Sequence, residues 1–167
     1  MGDADLSIRP ARPEHQAALL ALALRLTEGL PAWRDRDRWA AAAQSWVRAW
    51  AARDPAHDGD QAVYVAIDAA GRCAGFVDVA ARRHFTGDEE ACVGELVVAA
   101  EAEGKGVGTL LMRTAEDWAR QRGLSLIGLD ASAPNARARR LYQRLGYLEE
   151  SVRLVKRLPA DPATEPQ

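Results

Sequence analysis

The sequence predicts an α/β (α+β) fold, one central sheet with helices on its faces. Three observations carry that expectation. Strand-like and helix-like patterns alternate through the second half of the chain. Two strand patterns in the middle, "QAVYVAID" and "CAGFVDVAARRHF", are joined by the tight turn "AAGR" and read as a hairpin. A glycine-rich turn, "EGKGVG", stands between a strand pattern and a helical one.

Each element follows in chain order. Asp5 to Arg12 alternates Leu6, Ile8 and Pro10, a short first strand that ends at proline. "PEHQAALLALALRLTEG" opens with Pro13 in a first turn and closes at Gly29, a helix with start and stop signals. "LPAW" is a loop, after which Asp35 or Asp37 caps a second helix through about Arg53. Trp39, Trp46 and Trp50 share one face of that helix. A polar loop, Asp54 to Asp60, leads into the hairpin, and Cys92 to Ala99 forms the fourth strand. The helix after the glycine turn runs from about Val107 to Arg122, with Val107, Leu110, Leu111, Ala115 and Trp118 at helical spacing. "LSLIGLDAS" reads as a strand, "NARARRLYQRLG" as a helix capped by Asn135, and "YLEESVRLVKRL" as a last strand. The Pro-rich residues 159–167 are expected to be disordered, which leaves one domain over residues 1–158.

Composition narrows the function classes. The chain has 167 residues, one domain's worth, with 48% apolar and 28% charged residues. A net charge of −2 argues against a nucleic-acid footprint. Among 22 basic residues only Lys105 and Lys156 are lysines, a bias that suggests a GC-rich bacterial genome. No run of roughly 18 apolar residues offers a membrane span. The start "MGDADLSIRP" lacks the basic and apolar regions of a signal peptide, so the cytoplasm is the expected location. Cys73 and Cys92, with no CxxC and no nearby His pair, read as structural thiols, and no metal site is expected.

A strand, a glycine turn and a helix make an anion-binding arrangement: the backbone approaches the ligand, and the helix N-terminus offers free N–H groups. A flexible helix-capping turn explains the same glycines. The P-loop pattern fails because Gly106 follows Lys105, and the dinucleotide pattern fails on spacing.

The turn resembles the central motif of the GCN5-related N-acetyltransferase (GNAT) family. That motif runs arginine or glutamine, two residues, glycine, one residue, glycine or alanine. Glu103 stands in the first place and Gly106 and Gly108 in the glycine places. Leu96 and Val98 match the leucine–x–valine of the family's fourth strand, and Asn135, Ala138, Leu141, Tyr142, Gly146 and Tyr147 match its second motif. The resemblance spans about Ile8 to Leu158 and departs at Ala100, often proline, and at Glu103.

The resemblance implies a mixed, mostly antiparallel sheet of six to seven strands with about four helices. It implies acetyl-coenzyme A as cosubstrate, held by Leu96, Val97 and Val98, by the turn Glu103, Gly104, Lys105, Gly106, Val107, Gly108 and Thr109, and by Asn135, Ala138 and Tyr142. A carboxylate facing a pyrophosphate repels it. Lys105, Arg113 or the run Arg137, Arg139, Arg140 then supplies compensating charge, and Glu103→Arg is expected to tighten acetyl-coenzyme A binding. The family's chemistry is direct attack by an amine in a ternary complex. A backbone N–H between Leu96 and Val98, Val98 first, meets the oxyanion. Tyr142 protonates the leaving thiolate, a phenol of pKa about 10 against about 8.5 for a thiol. Glu95 is the expected general base, with Asp78, Glu89, Glu90 and His84 in reserve; packing for Tyr142 and a solvent-facing role for Glu95 stay open. The acceptor is expected among Glu28, Trp33, Asp35, His84 and Glu95, acids and a ring suited to ammonium groups. The second half is most like the aminoglycoside 6'-N-acetyltransferase branch, which often dimerises through its C-terminal region. A small-molecule amine is therefore the expected acceptor, an aminoglycoside-like polycation among the candidates. A protein or peptide amine, or a non-catalytic acyl-coenzyme-A-binding module, is the alternative.

Overall fold

The computed structural model describes residues 6–53 and 59–158. Expectations for Asp5, for part of the polar loop and for residues 159–167 lie outside those residues. Among the described residues, five strands form one sheet in the order β1-β2-β3-β4-β5. They are β1 (Leu6–Pro10), β2 (Gln61–Asp68), β3 (Cys73–Arg83), β4 (Glu89–Val98) and β5 (Ile127–Leu129). The first four pair antiparallel, and β4 pairs β5 in parallel. The helices are α1 (Gln16–Ala23), α2 (Arg36–Ala51), α3 (Val107–Gln121) and α4 (Ala136–Arg144).

The mixed sheet and the helix order match the expectation. The strand count is lower, because the expected last strand, Tyr147 to Leu158, pairs with nothing in the sheet. Its apolar alternation is real, yet Leu148 is 92% and Leu154 88% exposed. Alternation encodes a face, whereas a strand also needs a neighbouring edge to share its backbone hydrogen bonds, and the sheet of the described residues ends at β5. The first predicted helix is also broken up. Pro13–His15 and Leu24–Thr27 are 3-10 turns at either end of α1. Thr27 Oγ1 donates to Leu24 O at 2.9 Å, Glu28 N–H donates to Arg25 O at 2.9 Å, and Gly29 then takes φ 73°. These i→i+3 bonds tighten the last turn, and the left-handed glycine stops it.

Helices cover both faces of the sheet. Leu19, Val47 and Trp50 of α1 and α2 pack with Val65, Phe76 and Val97 on one face. Leu111, Met112, Ala115 and Trp118 of α3 pack with Val77, Val79 and Val93 on the other. Burial on both sides explains why residues 74–79 of β3 are buried without alternation, Asp78 being the one charged residue among them. Trp46 stacks on Phe76 at 6.1 Å, so two of the three tryptophans on α2 are core residues. Burying one such large side chain stabilises by about 1.5–3 kcal/mol.

Gly75 sits where β3, β4 and α3 meet. A methyl there would lie 2.5 Å from Val97 O and 3.2 Å from Leu111 Cδ1. Backbone cannot yield, so Gly75→Ala is expected to cost about 1–3 kcal/mol, read as a lowered urea midpoint with an unchanged slope.

Candidate active site

The sheet opens at one place. Ladder pairing between β4 and β5 covers only Ala91↔Ile127 to Val93↔Leu129 and stops there. On the other side, β4 continues to pair with β3 as far as Gly75↔Val98. The register between them shifts between Val77 and Val79, so Gly94 and Glu95 oppose the single residue Asp78. This bulge is held open by chemistry. A Cβ at Gly94 would collide with Asp78 Oδ2, and Asp78 is buried, accepting from Gln61 Nε2 at 2.6 Å.

Beyond the bulge, the free edge of β4 presents polar backbone. Ala99 N–H donates to Ala74 O at 2.8 Å, toward β3. Alternation then turns the N–H and C=O of Leu96 and Val98 the other way. They face a cleft of about 550 Å³ that is lined by Gly94 to Val98, Gly104, Gly106 to Thr109, Asn135, Ala138 and Tyr142. Gly104 and Gly106 have φ of 73° and 82°, a conformation that side chains other than glycine rarely take. Gly106 is the N-cap of α3 without a side-chain cap, which leaves the first N–H groups of that helix to the cleft. Gly108 lets α4 approach: a Cβ there would lie 3.1 Å from Leu141 Cδ2. Asn135 caps α4, its Oδ1 accepting from Ala138 N–H at 3.1 Å. A cleft of this size, with one edge of unpaired backbone and one helix N-terminus, fits a ligand that carries amides and a diphosphate.

Two titratable side chains line the same cleft. Burial, and next the charge of Asp78, push the Glu95 carboxyl up to about 7. Burial, and next the charge of Glu95, push the Tyr142 phenol up to about 12. Tyr142 is wedged against the α3-side core and meets Tyr147 edge-on at 5.9 Å. A carboxyl raised toward neutrality and a phenol that keeps its proton thus line one cleft, a pairing suited to acid–base chemistry.

Other expected residues sit elsewhere. Trp33 is exposed outside the cleft, whereas Trp39, from the start of α2, lines it. Asp35 caps α2, accepting from Arg38 N–H at 3.0 Å. His84 stands at the tip of the β3–β4 hairpin, hydrogen-bonded to Thr86 Oγ1 at 2.9 Å. Glu28 lines the cleft and pairs with Arg25 at 2.9 Å. Glu103 does not stand open toward the glycine turn. Arg25 holds it at 2.5 Å and Arg137 binds its other oxygen. The Arg137 hydrogen bond, with the Arg137 and Arg25 charges, keeps its carboxyl below the ordinary range. The need for a compensating cation was readable from the acid at position 103; Arg25, 78 residues away, had no sequence signal. Both cysteines are half-buried free thiols whose pKa burial raises, as suits structural residues.

A parallel strand pair that stops pairing at Val93, a glycine turn leading into a helix, and a carboxyl and a phenol in the opening define the site. The chain belongs to the acetyltransferase (GNAT) family, whose model matches residues 20–147. Acetyl-coenzyme A is that family's cosubstrate. The chain is 37% identical over 90 residues to a streptothricin acetyltransferase of Streptomyces lavendulae, which covers 54% of this chain and 46% of that protein. It is 31% identical over 111 residues to an aminoglycoside N(6')-acetyltransferase type 1 of Stenotrophomonas maltophilia, covering 64% and 72%. The chain thus spans under half of the first relative's length. Its fold superposes on an aminoglycoside N-acetyltransferase solved in complex with CoA at a TM-score of 0.67 and 20% identity, over 93% of this chain and 95% of that one.

Proposed function

We propose that this protein transfers the acetyl group of acetyl-coenzyme A to a primary amine of a small molecule, by direct attack within the cleft. The observation that carries this is that Glu95 and Tyr142 line one cleft together with the open edge of β4 and the glycine turn. Bound acetyl-coenzyme A supplies an activated thioester. The N–H of Val98, on the free edge of β4, donates to the oxygen on which negative charge develops. Glu95 accepts a proton from the acceptor's ammonium, directly or through a water, and the amine so formed attacks the thioester carbon. Tyr142 gives a proton or hydrogen bond to the departing sulfur.

Acceptor recognition falls to the acids and the ring that line the opening: Glu28, Glu95, Asp130 and Trp39. Carboxylates pair with ammonium groups and an indole face attracts them, which favours a polycationic acceptor. The names of the two relatives, for streptothricin and for aminoglycoside, agree with that class. The test is free-thiol release from acetyl-coenzyme A by the purified protein across aminoglycosides, streptothricins, polyamines and peptide amines. Release with the antibiotic amines supports the proposal. Release with peptide amines alone would move the acceptor to a protein, and silence with every amine would leave a binding module.

A further inference from the structure

We propose that Arg25 and Arg137 form a phosphate-binding pair, with the Glu103 carboxylate occupying it until the ligand arrives. This rests on reading the cleft as a coenzyme A site. Arg25 comes from the 3-10 turn after α1 and Arg137 from the first turn of α4, so the two guanidiniums approach from separate elements. Both line the cleft, as do Glu103, Gly104 and Gly106. Glu103 offers one oxygen to each: Oε1 to Arg25 and Oε2 to Arg137. The neighbouring backbone adds to the convergence. Ser132 Oγ donates to Gly29 O at 2.9 Å, fastening the Arg25 segment to the loop before α4.

Two convergent guanidiniums bind an oxyanion through paired hydrogen bonds, and a phosphate offers the same bridging oxygens with more charge than a carboxylate. A phosphate group arriving at the glycine turn takes both arginines, and Glu103 swings to solvent. The ligand must therefore break two ion pairs on entry. The internal anion attenuates affinity for any phosphorylated ligand, so the carboxylate works against binding while the arginines work for it. Glu103→Arg, by contrast, would insert a third cation between two others, which makes the charge-removing glutamine the informative change.

Calorimetric titration of wild type, Glu103→Gln and the double variant Arg25→Gln/Arg137→Gln, with coenzyme A and separately with inorganic pyrophosphate, decides it. Glu103→Gln is expected to bind both about three- to tenfold more tightly, the double variant about tenfold more weakly than wild type. The gain is expected to shrink in high salt because its origin is Coulombic. Unchanged or weaker binding of both ligands by Glu103→Gln overturns the proposal, as does a gain indifferent to salt. Tighter pyrophosphate binding without any coenzyme A binding would keep the phosphate pair and sink the coenzyme reading of the cleft.

Discussion

Tyr142→Phe is expected to lower kcat by about a hundredfold or more while leaving the dissociation constant of acetyl-coenzyme A nearly unchanged. The substitution removes one oxygen and keeps the ring. Tyr142 packs through that ring, against the α3-side core and edge-on to Tyr147 at 5.9 Å, so folding is expected to survive. The phenol is held protonated far above neutral pH by burial and by the nearby Glu95 charge. A group so held cannot be a base at pH 7, but it can donate. Rapid-quench measurement of turnover, beside calorimetry for the donor, separates the two effects. A variant with normal turnover would reduce Tyr142 to a packing residue.

The second large effect is expected at Glu95. Its carboxyl, pushed up to about 7 by burial and by Asp78, must lose its proton to act as base. Activity therefore rises with pH through about 7, and kcat/KM of the wild type is expected to show that acid limb. Glu95→Gln is expected to lower kcat/KM by about a hundredfold and to abolish the limb. A limb that persists in the variant would belong to the acceptor amine instead. Stability runs the other way. The folded protein keeps this proton to about pH 7, whereas the unfolded chain releases it near 4.5. The contribution of Glu95 to folding is thus full below pH 4.5 and is lost as pH rises through about 7. At pH 8 the glutamine variant is expected to be the more stable protein, so low activity there cannot be blamed on unfolding.

Local signals carried much of this structure. The caps at Asp35 and Asn135, the hairpin turn at Asp68 to Arg72 and the glycine stop at Gly29 each arise from short-range chemistry, and each lies where the sequence placed it. The glycine motif and the Leu96–Val98 edge were legible through the resemblance to the acetyltransferase family, and both line the cleft. What escaped depends on partners far along the chain. Whether residues 147–158 join a sheet depends on an available edge, which no alternation pattern encodes. Trp39 lines the cleft because α2, which begins at Arg36, carries it there, whereas Trp33 lies in the turn before that helix. The ion pair between Arg25 and Glu103 needs two elements to meet in space, and the charge reversal at position 103 told only that some cation must answer it.

The bulge at Gly94 and Glu95 is expected to leave a signature in amide hydrogen exchange. Beyond it, β4 is a half-finished ladder, locked on one edge and open on the other. The Val97 amide, turned toward β3, is expected to open only with the sheet, and those of Leu96 and Val98, turned toward the cleft, to exchange without it. Neighbouring amides of one strand therefore exchange at rates set by different events, the first by cooperative unfolding and the others by solvent alone. A ligand that hydrogen-bonds along the open edge is expected to slow the exchange of both.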